Sequence, residues 1–370
     1  MKLLHVAYSL NGGGAERALV GQSTGLVAKG GWLVVVVNIS GKGVYAESLT
    51  QAGIHVIDLN RRKSQLFLIL KDLIAIRRLE APDVVQSWMY FSDFVASFAF
   101  FGRCPVIWGL RNSEPEASSS AARKLFILLL GAMSHLFPRK IIAVSDAGIR
   151  NHAKSYFFAR RKFVAVPNFT EVTRSSLTKG SRERIRSDLC LRDDQFLVGS
   201  VSRLHPAKGH DYLVNCALKV LEKDDTIVFC IVGIDDAAAY LEQFDIPPAF
   251  QRNFRVLGFQ TEVGPYFEAF DLFFLHSATE GFPNVLLEAI MLQCPVIATD
   301  VGDVREIVGG ADEVLLRYGD VPGAVGKILA AKKQINWQNV EHLGALAHNR
   351  YSRKTILQRL DGIYKEALGK

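Results

Sequence analysis

The sequence predicts an α/β protein of two domains, each a parallel β-sheet flanked by helices. Three observations carry this reading. At 370 residues, with 49% hydrophobic side chains, the chain has enough apolar material for two ordinary globular cores. Short runs rich in Val, Ile, Leu and Phe alternate with helical stretches from one end to the other, as in stacked βα units. The alternation breaks once, between 167 and 194, at a polar stretch rich in Thr, Ser, Lys and Arg.

The first series of strands is expected at 3–8, 33–38, 55–59, 84–87, 106–110, 141–145 and 163–166, and the second at 196–201, 226–232, 254–257, 272–275, 296–299 and 313–316. Most are short, apolar-rich runs, the pattern of βα units stacked around parallel sheets. The domains are therefore set at 1–170 and 196–350. A linker at 171–195 separates them and carries a short charged helix over 181–188. Near the end, Ile356, Leu357, Leu360, Ile363, Tyr364 and Leu368 recur at roughly helical spacing, so 351–370 reads as an amphipathic helix packing back toward the first domain.

Composition excludes several classes. Five scattered cysteines show neither Cys-x-x-Cys spacing nor a Cys/His cluster, which argues against a disulfide framework or a zinc site and for reduced thiols in the cytoplasm. No cleavable signal pattern follows Met1, so the mature chain is expected to start there. The apolar run 125–137 is fenced by Arg123-Lys124 and Arg139-Lys140 and falls short of the roughly 20 residues a membrane span requires. The net charge of +7 is uneven, with 21 Lys and Arg against 10 Asp and Glu in 1–170 and 23 against 27 in the remainder. Such asymmetry suits an anionic membrane surface, a phosphorylated acceptor or nucleic acid, or a solvated basic surface with no partner. The aromatics follow no base-stacking pattern, which leaves nucleic acid without support.

The first strand runs into Asn11-Gly-Gly-Gly-Ala-Glu-Arg17, a glycine-rich turn that opens a helix. Glycines there let a ligand approach backbone N–H groups at the positive end of the helix. A dinucleotide fingerprint would place a third glycine where Arg17 stands and an acid where Asn38 ends the second strand, so a nicotinamide cofactor is not expected. In the second half, Val201-Ser-Arg-Leu-His-Pro-Ala-Lys-Gly-His-Asp211 sets Arg203 and Lys208 on one loop. Arg203 through its planar fork and Lys208 as a point charge form a clamp suited to a diphosphate, although two solvated surface cations would look the same in isolation.

After a later strand comes His276-Ser-Ala-Thr-Glu-Gly-Phe-Pro-Asn-Val-Leu-Leu-Glu288. Pro283 suits the first turn of a helix reaching about Leu292, with Glu280 in the loop before it and Glu288 inside it. Both carboxylates can accept hydrogen bonds from hydroxyls, and the backbone from Gly281 to Asn284 can donate to an anion or a sugar. A glycoside hydrolase would use two such acids as a pair but would have no need of the cationic clamp.

On these residues the sequence resembles glycosyltransferase family 4, the retaining enzymes with the GT-B fold, over nearly all of its length. The match rests on Gly12-Gly-Gly-Ala-Glu-Arg17, Val166-Pro-Asn-Phe-Thr-Glu171, Ser202-Arg-Leu with Lys208-Gly209, Glu280 to Glu288 as the Glu-x7-Glu signature, Pro295-Val-Ile-Ala-Thr and Gly302. The resemblance implies two facing Rossmann-like domains with the active site in the cleft between them. It implies a hexosyltransferase that moves a sugar from a nucleotide diphosphate, UDP by preference, to a hydroxyl of a lipid-linked glycan in exopolysaccharide, O-antigen or capsule biosynthesis. A sugar-nucleotide epimerase of the same fold is the alternative.

By the same resemblance Arg203 and Lys208 bind the donor diphosphate, Glu280 touches the transferred sugar, and Gly13, Gly14, Gly281, Phe282, Pro283, Asn284, Val285 and Glu288 line the donor, with no metal and no cofactor. On the acceptor side stand Glu16, Arg111, Asn112 and Glu114. Many relatives carry a histidine near Arg111 and Asn112; here Glu114 either polarises an acceptor hydroxyl or is a plain loop acid. His135, His152, His205, His210 and His276 show no ligand pattern and read as packing or surface residues. The segments 63–78, 123–140 and 155–163 mix apolar and cationic residues, which suits peripheral contact with the inner face of an anionic membrane and equally suits ordinary helices with basic exposed sides.

Overall fold

The computed structural model describes every residue except 12, 42, 113–119, 171, 173–176 and 370. Contacts divide the chain into two compact units: Met1–Phe169 with Arg353–Lys370, and Thr170–Ser352.

The first unit holds a seven-stranded parallel sheet of β1 (Lys2–Ala7), β2 (Leu33–Asn38), β3 (His55–Asp58), β4 (Val84–Trp88), β5 (Val106–Leu110), β6 (Lys140–Ala143) and β7 (Phe163–Ala165), in the order β3-β2-β1-β4-β5-β6-β7. Side chains alternate across each strand. Leu3, Val34 and Val36 face a core closed by the helices Gly14–Lys29 and Arg353–Ala367. Leu4, Val35 and Val37 face the opposite core, under the helices Leu66–Glu80, Tyr90–Phe100 and Ala121–Ser134. Both faces being covered explains why these strands read as continuous apolar runs rather than alternating ones.

The final helix buries Ile356, Leu357, Leu360, Ile363 and Tyr364 in the first of these cores. At its middle, Asp361 accepts from Lys29 Nζ at 2.5 Å, Trp32 Nε1 at 2.8 Å and Lys365 Nζ at 3.0 Å. Burial alone would push this carboxyl up, but those three donors overcome it and hold it down to about 2. A folded value below the free value of 3.8 means that the carboxylate stabilises the fold above that pH, and that this stabilisation is lost as pH falls toward 2. Asp361→Asn is therefore expected to lower the urea midpoint at neutral pH, with the gap to the parent chain narrowing as pH drops from 3.8.

The second unit holds a six-stranded parallel sheet of β8 (Phe196–Val201), β9 (Ile227–Val232), β10 (Phe254–Leu257), β11 (Leu272–Leu275), β12 (Val296–Thr299) and β13 (Leu315–Leu316), in the order β10-β9-β8-β11-β12-β13. Every expected strand is present, with ends shifted by at most two residues.

The linker expected at 171–195 is corrected. Its described residues belong to the second unit, and the helix Ser181–Asp188 is held there by two arginines. Arg182 donates to the Glu268 carbonyl at 2.7 Å and pairs with Asp271 at 2.5 Å, while Arg186 pairs with Asp271 at 3.0 Å and donates to the Gln195 carbonyl at 2.7 Å. The charge that looked like a solvated linker instead satisfies carbonyls at the end of the helix Gly264–Ala269. No helix among the described residues is long and apolar enough to cross a membrane.

Candidate functional site

In each sheet the chain direction of strand addition reverses once, between β1 and β4 and between β8 and β11. In open α/β sheets, ligands bind at the carboxyl ends of the strands where this reversal occurs. The loop after β8 carries Arg203 and Lys208, and the loop after β11 carries Glu280, so the strand order brings together groups far apart in sequence.

Those two loops of the second unit are bound to each other. Ala278 and Thr279 donate their N–H groups to the Ala207 carbonyl at 2.9 and 3.2 Å. Lys208 Nζ lies 2.6 Å from Glu280 Oε1, and Ser277 Oγ donates to the same oxygen at 2.6 Å. Glu280 Oε2 has no hydrogen-bond donor among the described residues, which leaves it for a ligand hydroxyl. Arg203 is exposed, and its guanidinium has no ion pair or hydrogen bond among the described residues. The site thus pairs one cation already neutralised by a carboxylate with one awaiting an anion.

Two buried histidines pin the loop that carries both cations. His276 Nδ1 donates to the Gly209 carbonyl at 3.1 Å, and its Nε2 accepts from Ser200 Oγ at 2.7 Å. Burial, and then the neighbouring His210, hold the His276 imidazole down to about 3, so it stays neutral and keeps this pairing. His210 Nε2 donates to the Arg203 carbonyl at 3.1 Å, and its Nδ1 accepts from Tyr240 at 3.1 Å; burial lowers its pKa too. The two histidines fix the ends of the 203–209 segment, a role beyond the packing expected from sequence. His205 caps the short turn Pro206–Lys208 by accepting from the Ala207 N–H at 3.2 Å.

The helix Asn284–Met291 starts here without a side-chain cap, and Pro283 stands at its N-cap rather than inside the first turn as expected. Its N-terminus follows the loop of Gly281 and Phe282, and Phe282 is held edge-on against Tyr351 at 5.6 Å. Glu288 is buried on this helix and has a polar partner, and Val285 and Asn284 are half-buried at its start. Thr299 at the end of β12 donates to the Ser277 carbonyl at 2.6 Å, and the Asp303 N–H donates to the Gly281 carbonyl at 3.0 Å.

Gly302 makes that last approach feasible. Its φ is +60°, and a Cβ there would stand 2.3 Å from the Glu280 carbonyl oxygen and 2.7 Å from that of Gly281. Gly302→Ala is expected to displace the 280–281 backbone, costing about 1–3 kcal/mol of stability. A thermal melt together with a nucleotide titration checks this: both readouts should fall.

The first unit carries the other expected residues. Gly13 is the N-cap of Gly14–Lys29 and has an extended backbone, while a Cβ on Gly14 would meet nothing within 4 Å. Packing therefore requires no glycine at Gly14. Glu16 folds back over Gly13, accepting from Ser9 Oγ at 3.4 Å. Arg111 is turned inward: its guanidinium lies 4.7 Å from the Trp88 ring centre and donates to the Val166 carbonyl at 3.3 Å, with Nε and Nη2 buried. Burial lowers it to about 10. Asn112 donates to Tyr90 Oη at 3.1 Å, and Tyr90 in turn meets His152 Nε2 at 2.8 Å, so an imidazole stands behind the loop that lacks one. Glu114, together with Gly12 and Glu171 of the sequence signature, lies outside the described residues. Among the described residues no group of three or more His, Cys, Asp or Glu side chains is arranged to hold a metal ion.

Comparison with known proteins bears on this geometry. Residues 12–174 match the family described as Glycosyltransferase Family 4, and residues 195–333 match that described as Glycosyl transferases group 1. The chain is 24% identical over 336 residues to the capsular polysaccharide biosynthesis glycosyltransferase CapM of Staphylococcus aureus, covering 85% of this chain and 87% of that one. It is 28% identical over 137 residues to the N-acetylgalactosamine-N,N'-diacetylbacillosaminyl-diphospho-undecaprenol 4-alpha-N-acetylgalactosaminyltransferase of Campylobacter jejuni, covering 36% of each. Among solved structures, Anabaena Alr3699/HepE in complex with UDP superposes with a TM-score of 0.85 at 21% identity, covering 99% of this chain and 100% of that one. At that identity the likeness shows the fold, which is GT-B. The epimerase alternative finds no support in these matches.

Proposed function

Because the chain belongs to glycosyltransferase family 4 and is a glycosyltransferase of polysaccharide or glycolipid biosynthesis, we propose that it moves a hexosyl residue, with retention, from a UDP-sugar to a hydroxyl of a lipid-linked glycan. The observation that carries the proposal is the Lys208–Glu280 pair beside the unpaired Arg203 at the reversal point of the second sheet. The choice of UDP is supported by the solved structures of HepE, which hold UDP in one case and UDP-glucose in another. The lipid diphosphate in the acceptor of the Campylobacter relative, and the basic first unit, support the lipid-linked acceptor.

In this reaction the bond from the anomeric carbon to the diphosphate oxygen breaks while the acceptor oxygen attacks the same face. The acceptor proton passes to the departing diphosphate, giving a glycoside and UDP. Arg203 and Lys208 neutralise the charge that develops on the leaving group, Glu280 Oε2 holds a hydroxyl of the transferred sugar, and Glu288 holds the ribose. The step as proposed uses these cations and the N-terminus of Asn284–Met291 in place of a metal ion. Contact with the cytoplasmic face of a membrane is peripheral.

Thermal shift with UDP, GDP, ADP and CDP tests the donor site. UDP is expected to raise the melting temperature most, and the shift should shrink in Arg203→Ala. Equal responses to all four nucleotides would sink the UDP assignment. Product anomer by NMR tests retention, since a β-linked product from an α-linked donor contradicts it.

A further inference from the structure

The sheet of the first unit buries a row of polar side chains on the face covered by the helices Gly14–Lys29 and Arg353–Ala367. Leu3 and Ala7 of β1, Val84 and Trp88 of β4 and Ile107 of β5 belong to the core on that face. Side chains two positions apart share a face, so His5 of β1, Gln86 of β4, Gly109 of β5 and Arg111 just beyond it stand among them. His5 and Gln86 are register partners on neighbouring strands, and both are 0% exposed. The Gln86 amide lies over Gly109, where a Cβ would stand 3.4 Å from its Nε2, and the Arg111 guanidinium reaches back to within 4.7 Å of the Trp88 ring centre.

The hydrogen bonds made within this row leave donors over. An indole N–H can only donate, so Trp88 Nε1, 2.9 Å from His5 Nδ1, makes that nitrogen the acceptor and puts the imidazole proton on Nε2. Burial, and then the Arg111 charge, hold His5 down to about 3, so the ring stays neutral in this tautomer. Tyr364 of the final helix donates to Gln86 Oε1, which leaves the two N–H groups of Gln86 Nε2. Arg111 uses Nη1 on the Val166 carbonyl at 3.3 Å and on Asn168 Oδ1 at 3.4 Å. His5 Nε2, Gln86 Nε2, Arg111 Nε and Arg111 Nη2 are then buried donors with no partner among the described residues.

Arg111 is also a cation without a counter-charge. Burial lowers it to about 10, so it keeps its proton at neutral pH, yet no Asp or Glu among the described residues pairs with it. The buried carboxyl of Asp93 is engaged on the opposite face, where it accepts from Ser87 Oγ at 2.6 Å. A buried charge is strongly disfavoured unless an opposite charge stands beside it. Water answers this need badly, because it brings two hydrogens of its own into a row of donors and carries no charge. An anion accepts from every donor and supplies the charge.

We propose that His5, Gln86 and Arg111 form a site for a small inorganic monoanion, chloride in size and charge, which neutralises Arg111 and holds it over Trp88. One uncompensated positive charge calls for one negative charge. Donors drawn from three adjacent strands, spaced about 4.8 Å apart, close on a single ion rather than on a sugar or a nucleotide phosphate. In fixing Arg111 the ion also fixes what Arg111 holds, the Val166 carbonyl just past β7, and with it the start of the loop that follows β5. The site belongs to the first unit and does not depend on which nucleotide sugar the second unit takes.

Two measurements on the full chain test it. The first is a series of thermal melts after dialysis into sodium gluconate, with chloride replacing gluconate stepwise at constant ionic strength. The melting temperature is expected to rise by about 5 °C and to saturate. That direction opposes a general salt effect, since chloride is less excluded from protein surfaces than gluconate. Gln86→Glu places a carboxylate beside Arg111 and keeps the acceptor for Tyr364. It is expected to melt without chloride as high as the parent does with it, and to lose the chloride response. Arg111→Met should lose the response too, and Gln86→Glu decides the matter should Arg111→Met fail to fold. The second measurement is bromide anomalous scattering from crystals of the parent chain, with density expected against Arg111 Nη2, His5 Nε2 and Gln86 Nε2. A melting temperature indifferent to chloride, a response that survives in Gln86→Glu, or water alone at these three nitrogens in bromide would each overturn the proposal.

Discussion

Arg203→Ala is expected to lower kcat about 100- to 1000-fold, the range seen when one group that stabilises transition-state charge is removed, while leaving the melting temperature unchanged. Arg203 is exposed and its guanidinium has no partner among the described residues, so its removal strands no buried group. The affinity for the intact donor should fall less than turnover, because the diphosphate gains charge as the glycosidic bond breaks and the clamp is worth most at that point. Lys208→Ala should look different. It also removes the cation 2.6 Å from the nearly buried Glu280, so turnover and thermal stability are expected to fall together. Steady-state kinetics with the donor selected by thermal shift, beside melts of both variants, separate the two patterns. Turnover in Arg203→Ala within a few-fold of the parent would remove it from the chemistry.

The contrast between these cations shows what was legible in the sequence. Strands such as β2 (LVVVVN) and β9 (IVFCIV) announce themselves because both faces of their sheet are covered and all but the terminal Leu33 is buried. Glu280 and Lys208 could each be named from their motifs, but a contact across 72 positions follows only once β8 and β11 are neighbours, and strand order is a property of the whole sheet. Lone histidines carry even less local signal. His210 follows Gly209, and His276 follows β11, but that they pin carbonyls at both ends of the cationic loop depends on which atoms surround them. Ser277 and Thr299, which brace the Glu280 loop, were not singled out from sequence for the same reason. The misread segment 171–195 fails in the opposite direction. Arginines on a short polar helix look solvated until a neighbouring helix end supplies carbonyls and Asp271 to receive them. Arg111 likewise reads as a loop cation, while the fold stacks it on Trp88.

Glu280→Ala is expected to separate binding from transfer. Glu280 Oε1 receives both Lys208 Nζ and Ser277 Oγ at 2.6 Å, so a nucleotide diphosphate must compete with this carboxylate for the lysine. Removing the carboxylate leaves Lys208 wholly available, and the affinity for UDP alone should hold or rise. Transfer should fall about 100-fold or more, because the sugar loses the acceptor Oε2 that orients it, and misplacement of a reacting carbon by about 1 Å is enough for such a loss. Calorimetric titration of UDP beside single-turnover transfer checks this. A rise in Kd for UDP as large as the fall in rate would mean that Glu280 acts by holding the loop in shape, because loss of that shape would weaken nucleotide binding and transfer together. Opposite movements in the two readouts would mean that the carboxylate competes for Lys208 in the resting protein and acts on the sugar in the occupied one.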